Sequence, residues 1–111
     1  MDIEQIEKRI KAIKKELSGL GPMHPGSVSK QYNICGTPGC RCKAKKNPQK
    51  HGPYYQLSYT RRGRHHTRFV RENQLAAMQE KVKNHRKFRE LVEEWVKLSV
   101  EQERIERGAD R

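Results

Sequence analysis

Three cysteines and a histidine fall within seventeen residues: Cys35-Gly36-Thr37-Pro38-Gly39-Cys40-Arg41-Cys42, and then His51, a C-x4-C-x-C-x8-H pattern. Three thiolates and one imidazole are the donor set that tetrahedral Zn²⁺ takes. Gly36, Pro38 and Gly39 let the backbone turn sharply enough for Cys35 to meet Cys40 and Cys42, and the nearby cations Arg41 and Lys43 favour the thiolate form that binds metal. His51 is preferred as fourth ligand over His24, His65 or His66. The spacing is not that of a common zinc finger, so a redox cysteine pair and three unrelated small hydrophobes stand as alternatives. Against them, Cys40 and Cys42 would form a strained disulfide, and a glycine-rich cationic loop offers its cysteines no core to fill. Four protein ligands leave no open coordination position and no carboxylate lies nearby as general base, so the expected role is structural, not hydrolytic.

The second chemical signal is charge. The chain carries 25 Lys+Arg against 13 Asp+Glu, a formal net charge of +12. Between Glu16 and Glu72 nothing is acidic, and residues 17–71 hold eleven cations: Lys30, Arg41, Lys43, Lys45, Lys46, Lys50, Arg61, Arg62, Arg64, Arg68 and Arg71. A segment of one sign repels itself, and a polyanion such as nucleic acid relieves that repulsion; a merely basic, soluble surface is the bland alternative. Both flanks mix signs, as ordinary solvated helices do.

These groups need elements to position them. Ile3, Ile6, Ile10, Ile13, Leu17 and Leu20 recur by threes and fours, which predicts an amphipathic helix over residues 1–20, stopped by Gly19 and Gly21-Pro22. His24-Pro25-Gly26-Ser27 reads as a turn-rich loop. A second long helix is predicted over 72–107, with Phe88, Leu91, Trp95, Leu98 and Ile105 on one stripe, Val92 and Val96 beside it, and fraying near Gly108. The two stripes could pack on each other as a helical hairpin or close a homodimer. Between the helices, Tyr54–Thr60 and His65–Val70 flank Arg61-Arg62-Gly63, which predicts a β-hairpin over 54–71. A three-residue loop would pair Thr60 with Arg64 and Tyr59 with His65. It would gather Tyr55, Leu57, Tyr59, His65, Thr67 and Phe69 on a face resting on a helix. Gln56, Ser58, Thr60, Arg64, His66 and Arg68 would then form the outer face. A two-residue loop would set Arg68 across from Leu57 and mix the faces. As neighbours on a strand, His65 and His66 would point to opposite faces and could not grip one ion together.

With 111 residues and 32% hydrophobic content, there is room for one small domain and not for a barrel or an open parallel sheet. The expected class is therefore α+β: an N-terminal helix (1–20), a Cys-rich basic zinc knuckle (21–53), a basic hairpin (54–71), and a C-terminal helix (72–107) packing on the first. No run approaches the roughly 18 apolar residues of a membrane span, and the charged, amphipathic start is unlike a signal peptide. Clustered cysteines in odd number argue for metal in a reducing compartment, so the expectation is a cytoplasmic protein with no membrane partner.

The strings His24-Pro25-Gly26-Ser27, Cys35 through Cys42, His51-Gly52-Pro53-Tyr54-Tyr55-Gln56-Leu57-Ser58-Tyr59 and Arg68-Phe69-Val70 resemble a family of small prokaryotic proteins carrying a domain of unknown function. That family is often found near mobile elements or labelled transposase-like. The resemblance spans roughly residues 22–98 and implies a mobile-DNA context. It implies no nuclease, since the spaced carboxylates of a DDE enzyme and the His-hydrophobic-His pair of a relaxase are both missing from the sequence.

The expected function is a non-enzymatic, zinc-stabilised nucleic-acid-binding accessory or regulatory protein, with DNA favoured over RNA. Arg64, Arg68, Gln56, Ser58 and Thr60 would reach base edges in a major groove. Arg41, Arg61, Arg62, Lys43, Lys45, Lys46 and Lys50 would contact phosphate, with His66 able to touch one as well. If Tyr54, Tyr55 and Tyr59 are exposed, they would stack on unpaired bases, and single strands or RNA become the target. A module gripping an acidic protein partner through its basic face and helices is the rival. An enzyme ranks third, because no nucleophile–base pair or open metal site can be named.

Overall fold

Asp2 starts the first helix. In the computed structural model, which describes residues 1–109, helix α1 (Ile3–Ser18) opens on a capping box. The Gln5 N–H donates to Asp2 Oδ1 at 2.8 Å, and the Asp2 N–H to Gln5 Oε1 at 3.0 Å. These bonds satisfy donors that a helix start leaves unpaired. The elements that follow are β1 (Ser27–Asn33), β2 (His51–Arg61), β3 (Arg64–Val70) and α2 (Leu75–Ala109). The fold is α+β, and the chain divides into two compact units: residues 1–23 with α2 from Lys83 onward, and residues 24–82.

In the first unit, the predicted seam of α1 is filled from within the chain. Ile6, Ile10 and Ile13 pack with Leu91 and Leu98, and Leu17, Leu20, Trp95 and Ile105 close around them. Arg9 forks onto Glu94 (Nε to Oε2 2.6 Å, Nη2 to Oε1 2.8 Å), and Asn84 Nδ2 donates to the Pro22 carbonyl at 2.9 Å. The early part of α1 thus meets the later part of α2, and the chain leaving α1 meets Asn84, so the two helices form an antiparallel hairpin. Phe88, expected on the buried stripe, is 36% exposed, and Val96 is 53% exposed. Helix α2 runs to Ala109, and its start at Leu75 follows a 3-10 turn over Glu72–Gln74.

The second unit holds a three-stranded antiparallel sheet in the order β1-β2-β3. Its core is Leu57, Val70, Met78 and Val82, with Val28, Tyr55 and Tyr59 partly buried around it. The sheet thus rests on the first turns of α2. Strand β1 corrects the expectation of a loop throughout residues 21–53. Ser27–Asn33 has Val28 as its one aliphatic residue and little alternation, because it is an edge strand; β2 also begins earlier than expected, at His51. Gly26 admits β1 to the sheet: its φ is +107°, and a Cβ there would lie 2.2 Å from the Ser58 carbonyl oxygen.

The hairpin register also differs from the expected one. Arg62 (φ +51°) and Gly63 (φ +78°) both take left-handed conformations, the mark of a two-residue loop. Arg61 therefore pairs with Arg64, Thr60 with His65, Tyr59 with His66, and Leu57 with Arg68. The three-residue loop failed because it took Phe69 for the core residue. With Val28 already opposite Leu57 on the other side, the pairing that buries Val70 beside Tyr55 builds one apolar patch across three strands. Arg68 tolerates its place beside Leu57 because a long guanidinium side chain reaches solvent past an apolar neighbour. Phe69 is turned outward and is 67% exposed. Among the described residues, no helix is long and apolar enough to cross a membrane.

Candidate metal centre and basic face

Because His51 pairs with Asn33 where β1 ends, residues 34–50 must leave one end of the sheet and return to it. A single 3-10 turn over Arg41–Lys43 folds this loop, with the Lys43 N–H bonded to the Cys40 carbonyl at 3.0 Å. The Ala44 and Gln49 N–H groups both donate to the Arg41 carbonyl, at 3.2 and 3.0 Å. Gly39 supplies the left-handed step before Cys40, at φ +77°. The result brings all four expected ligands together: the Sγ atoms of Cys35, Cys40 and Cys42 and a ring nitrogen of His51 lie within 4.8 Å of one another.

Two of the six ligand-to-ligand spacings can be set beside those of a tetrahedral ion. With Zn–S about 2.3 Å and Zn–N about 2.0–2.1 Å, tetrahedral angles place two sulfurs about 3.8 Å apart and a sulfur and nitrogen about 3.6 Å apart. Here Cys35 Sγ and Cys42 Sγ are 3.6 Å apart, and Cys40 Sγ and His51 Nε2 are 3.3 Å apart. The Cys35 N–H also points at Cys42 Sγ, at 3.4 Å, the kind of outer hydrogen bond that steadies a metal-bound thiolate. The four residues could hold a metal ion.

The acidities of the four groups are mutually dependent. The Thr37 N–H, aided by His51 and the other two sulfurs, lowers the Cys35 pKa to about 6. The Cys42 N–H is the main cause lowering Cys40. Cys42 itself is buried, and that burial pushes its thiol up. His51 is raised, first by Cys35 and then by Cys40. The ionised form of Cys35 and the protonated form of His51 thus favour one another, and a bound metal ion would take the proton's place.

The other histidines are elsewhere. His24 Nδ1 bonds the Pro25 carbonyl at 2.7 Å and its ring meets Tyr59 edge-on at 4.8 Å. His66 stacks on Tyr59 at 5.0 Å, while His65 lies on the opposite face beside Thr60, at 3.4 Å. The loop cations Arg41, Lys43, Lys45, Lys46 and Lys50 are exposed, as are Arg61, Arg62, Arg64 and Arg68 of the hairpin. The observed register splits the residues expected to read one groove. Gln56, Ser58 and Thr60 share the open face of the sheet, whereas Arg64, His66 and Arg68 share the face of Leu57. Tyr55 and Tyr59 are half-buried on that same core face, and of the three tyrosines expected to stack Tyr54 alone is exposed. The whole of β3 is turned over relative to the expected register, so His65, Thr67 and Phe69 face outward; the signal for this was Val70, an equally good core residue one step along the strand from Phe69.

A small α+β protein with a three-cysteine, one-histidine cluster between its first two strands is what fold and site define. Over residues 3–80 the chain matches the family described as a domain of unknown function (DUF6788), and it belongs to that family. The matched segment takes in α1, the cluster, the whole sheet and the first turn of α2, and it starts and stops earlier than the resemblance read from the motifs. No curated protein and no solved structure matches the chain.

Proposed function

We propose that this protein is a non-enzymatic nucleic-acid-binding factor, with DNA its first target, whose basic unit is held in shape by zinc. The observation that carries the proposal is the state of the eleven cations of residues 17–71. All are exposed, and among the described residues none forms a salt bridge; the ion pairs involve only Arg9, Arg104 and Arg107. Residues 24–82 hold twelve of the 25 basic residues and only two of the 13 acidic ones, Glu72 and Glu80, a net +10 of the chain's +12. Such a surface gains free energy from releasing the counterions of a polyanion. Arg61, Arg62, Arg64 and Arg68 at the hairpin and Lys43, Lys45, Lys46 and Lys50 in the loop are assigned to phosphate. Zinc is chosen for the cluster because thiolate and imidazole donors at tetrahedral spacing suit it and leave no position for catalytic water. An accessory or regulatory role in the cytoplasm, in a mobile-DNA setting, completes the proposal.

The test is binding of fluorescent oligonucleotides across a salt series, with a Lys45→Gln, Lys46→Gln, Lys50→Gln triple variant beside the parent. Log affinity should fall linearly with log salt, and the variant's slope should be shallower by about 0.7–0.9 for each lost contact. Absence of binding at low salt overturns the proposal. A second reading rests on α2, where Val96 and Val100 are 53% and 56% exposed next to Val92. A strip of that kind suits a protein partner or a second copy of the chain. Sedimentation of the parent and of Val96→Asp separates a self-association that the aspartate abolishes from a monomer in both.

A further inference from the structure

The register that turned Phe69 outward created a surface that the charge pattern alone does not explain. The open face of the sheet carries Ser29, Gln56, Ser58, Thr60 and Thr67, all able to donate and accept hydrogen bonds, with His65 beside Thr60. Gln31 Nε2 donates to Gln56 Oε1 at 2.7 Å, so part of that polar network is already ordered. On this polar floor sit two exposed aromatic rings, Phe69 at 67% and Tyr54 at 41%, with centroids 6.4 Å apart and planes inclined by 63°. Beside them lies a cavity of about 420 Å³, lined among others by Pro53, Tyr54, Phe69, Arg71 and Glu72. That volume falls within the roughly 300–1,000 Å³ of ligand pockets, and its rim offers both a guanidinium and a carboxylate.

We propose that this face is a stacking site for an unpaired base of single-stranded nucleic acid, with Phe69 as the platform and the adjoining cavity as the seat of one base. The inference rests on the nucleic-acid reading above and names its substrate class. A bare phenyl ring offers a base the π-surface that it loses when unstacked, and every base has such a surface. Arg71 and Glu72 are placed to meet the donors and acceptors of its Watson–Crick edge. In a duplex the bases stack on one another and that edge is already paired, so the site selects against double strands. Backbone charge would be met by the exposed cations of the same unit, whose sign complements phosphate.

The experiment measures binding of labelled single-stranded DNA, single-stranded RNA and duplex DNA of equal length by the zinc-loaded full chain. Phe69→Ala and Phe69→Leu are compared with the parent and with the triple lysine variant. Phe69 is largely exposed, so neither replacement removes core, and circular dichroism confirms the fold. Single strands should bind more tightly than duplex, and both Phe69 variants should lose about 5- to 150-fold on single strands with an unchanged salt slope. Phe69→Trp should keep the affinity, and its emission should be quenched by a bound strand beyond any change shown by Trp95 in the parent. Preference for DNA or RNA strands identifies the source of the base. If duplex binds as tightly as single strands and Phe69→Ala binds like the parent while the lysine variant weakens, the stacking site is refuted and the nucleic-acid reading stands. If no nucleic acid binds, both fall together.

Discussion

Removing the metal should loosen the sheet, and the size of the effect follows from where the ligands sit. Cys35 lies two residues beyond the end of β1, and His51 opens β2 opposite Asn33. An ion shared by them closes a loop of seventeen residues, 35–51, against the end of the sheet. In the chain-entropy treatment of cross-links, closing a loop of that length restricts the unfolded state by about 3 kcal/mol. For a domain of this size that corresponds to a drop of roughly 10–25 °C in Tm. The assay is thermal unfolding by circular dichroism of zinc-loaded protein, of protein treated with a strong chelator, and of chelated protein re-supplied with zinc. The loss should reverse on re-supply. Amide exchange should locate it in Ser27–Asn33 and the first half of β2, the strands that the loop joins. A chelated protein melting within about 2 °C of the loaded one would refute the reasoning, because an ion bridging the loop must be felt by the strands it bridges.

Three further outcomes are expected. Zinc affinity should rise with pH, by about one log unit per pH unit where only the buried Cys42, its pKa raised, still has a proton to give up on binding. Affinity should fall further as pH drops and protons return to His51, whose pKa is also raised, and to Cys35 near its pKa of about 6; calorimetry in buffers of different ionisation enthalpy counts the protons released, and a pH-independent affinity would contradict the assignment. Arg62→Asn should stabilise the fold by about 0.5–1 kcal/mol in urea titration, because Asn tolerates the left-handed φ of +51° at the first loop position better than Arg. Gly26→Ala should cost about 2 kcal/mol or more, since its Cβ would strike the Ser58 backbone at a φ of +107°; Gly36→Ala, with nothing within 4 Å, is the neutral control.

The readable parts of this protein were those with strong local rules. The helix over α1 announced itself through six apolar residues at threes and fours, and the cluster through residue types that have few other uses in a cationic loop. Strand β1 was hidden because SVSKQYN owes its place to pairing with a distant partner, the central strand β2, and only Val28 approaches the core. The hairpin loop was hidden for a related reason. Arg61-Arg62-Gly63 admits two registers, and the choice between them depends on whether Phe69 or Val70 is buried. That choice is made by Val28, Met78 and Val82, none of which belongs to the hairpin.

This dependence ties the cluster to the surface that the strands present. β2 carries His51 at its first position, Leu57 in its middle and the two-residue loop at its end. Side chains alternate along a strand, so a slip of one residue would exchange its faces completely. A slip of β3 would bury Phe69 in place of Val70 and move Arg68 to the open face, restoring the arrangement that hydrophobicity alone suggested. Arg62 and Gly63 hold the register at one end of β2, and Leu57 opposite Val28 holds it in the middle. A metal held by the cluster would supply the third restraint at the other end, where the pairing of β1 with β2 is irregular between Gln31 and Asn33. A bound ion there would do more than close a loop. By fixing His51 relative to Cys35, it would hold β1 and β2 in the alignment that sets Val28 opposite Leu57.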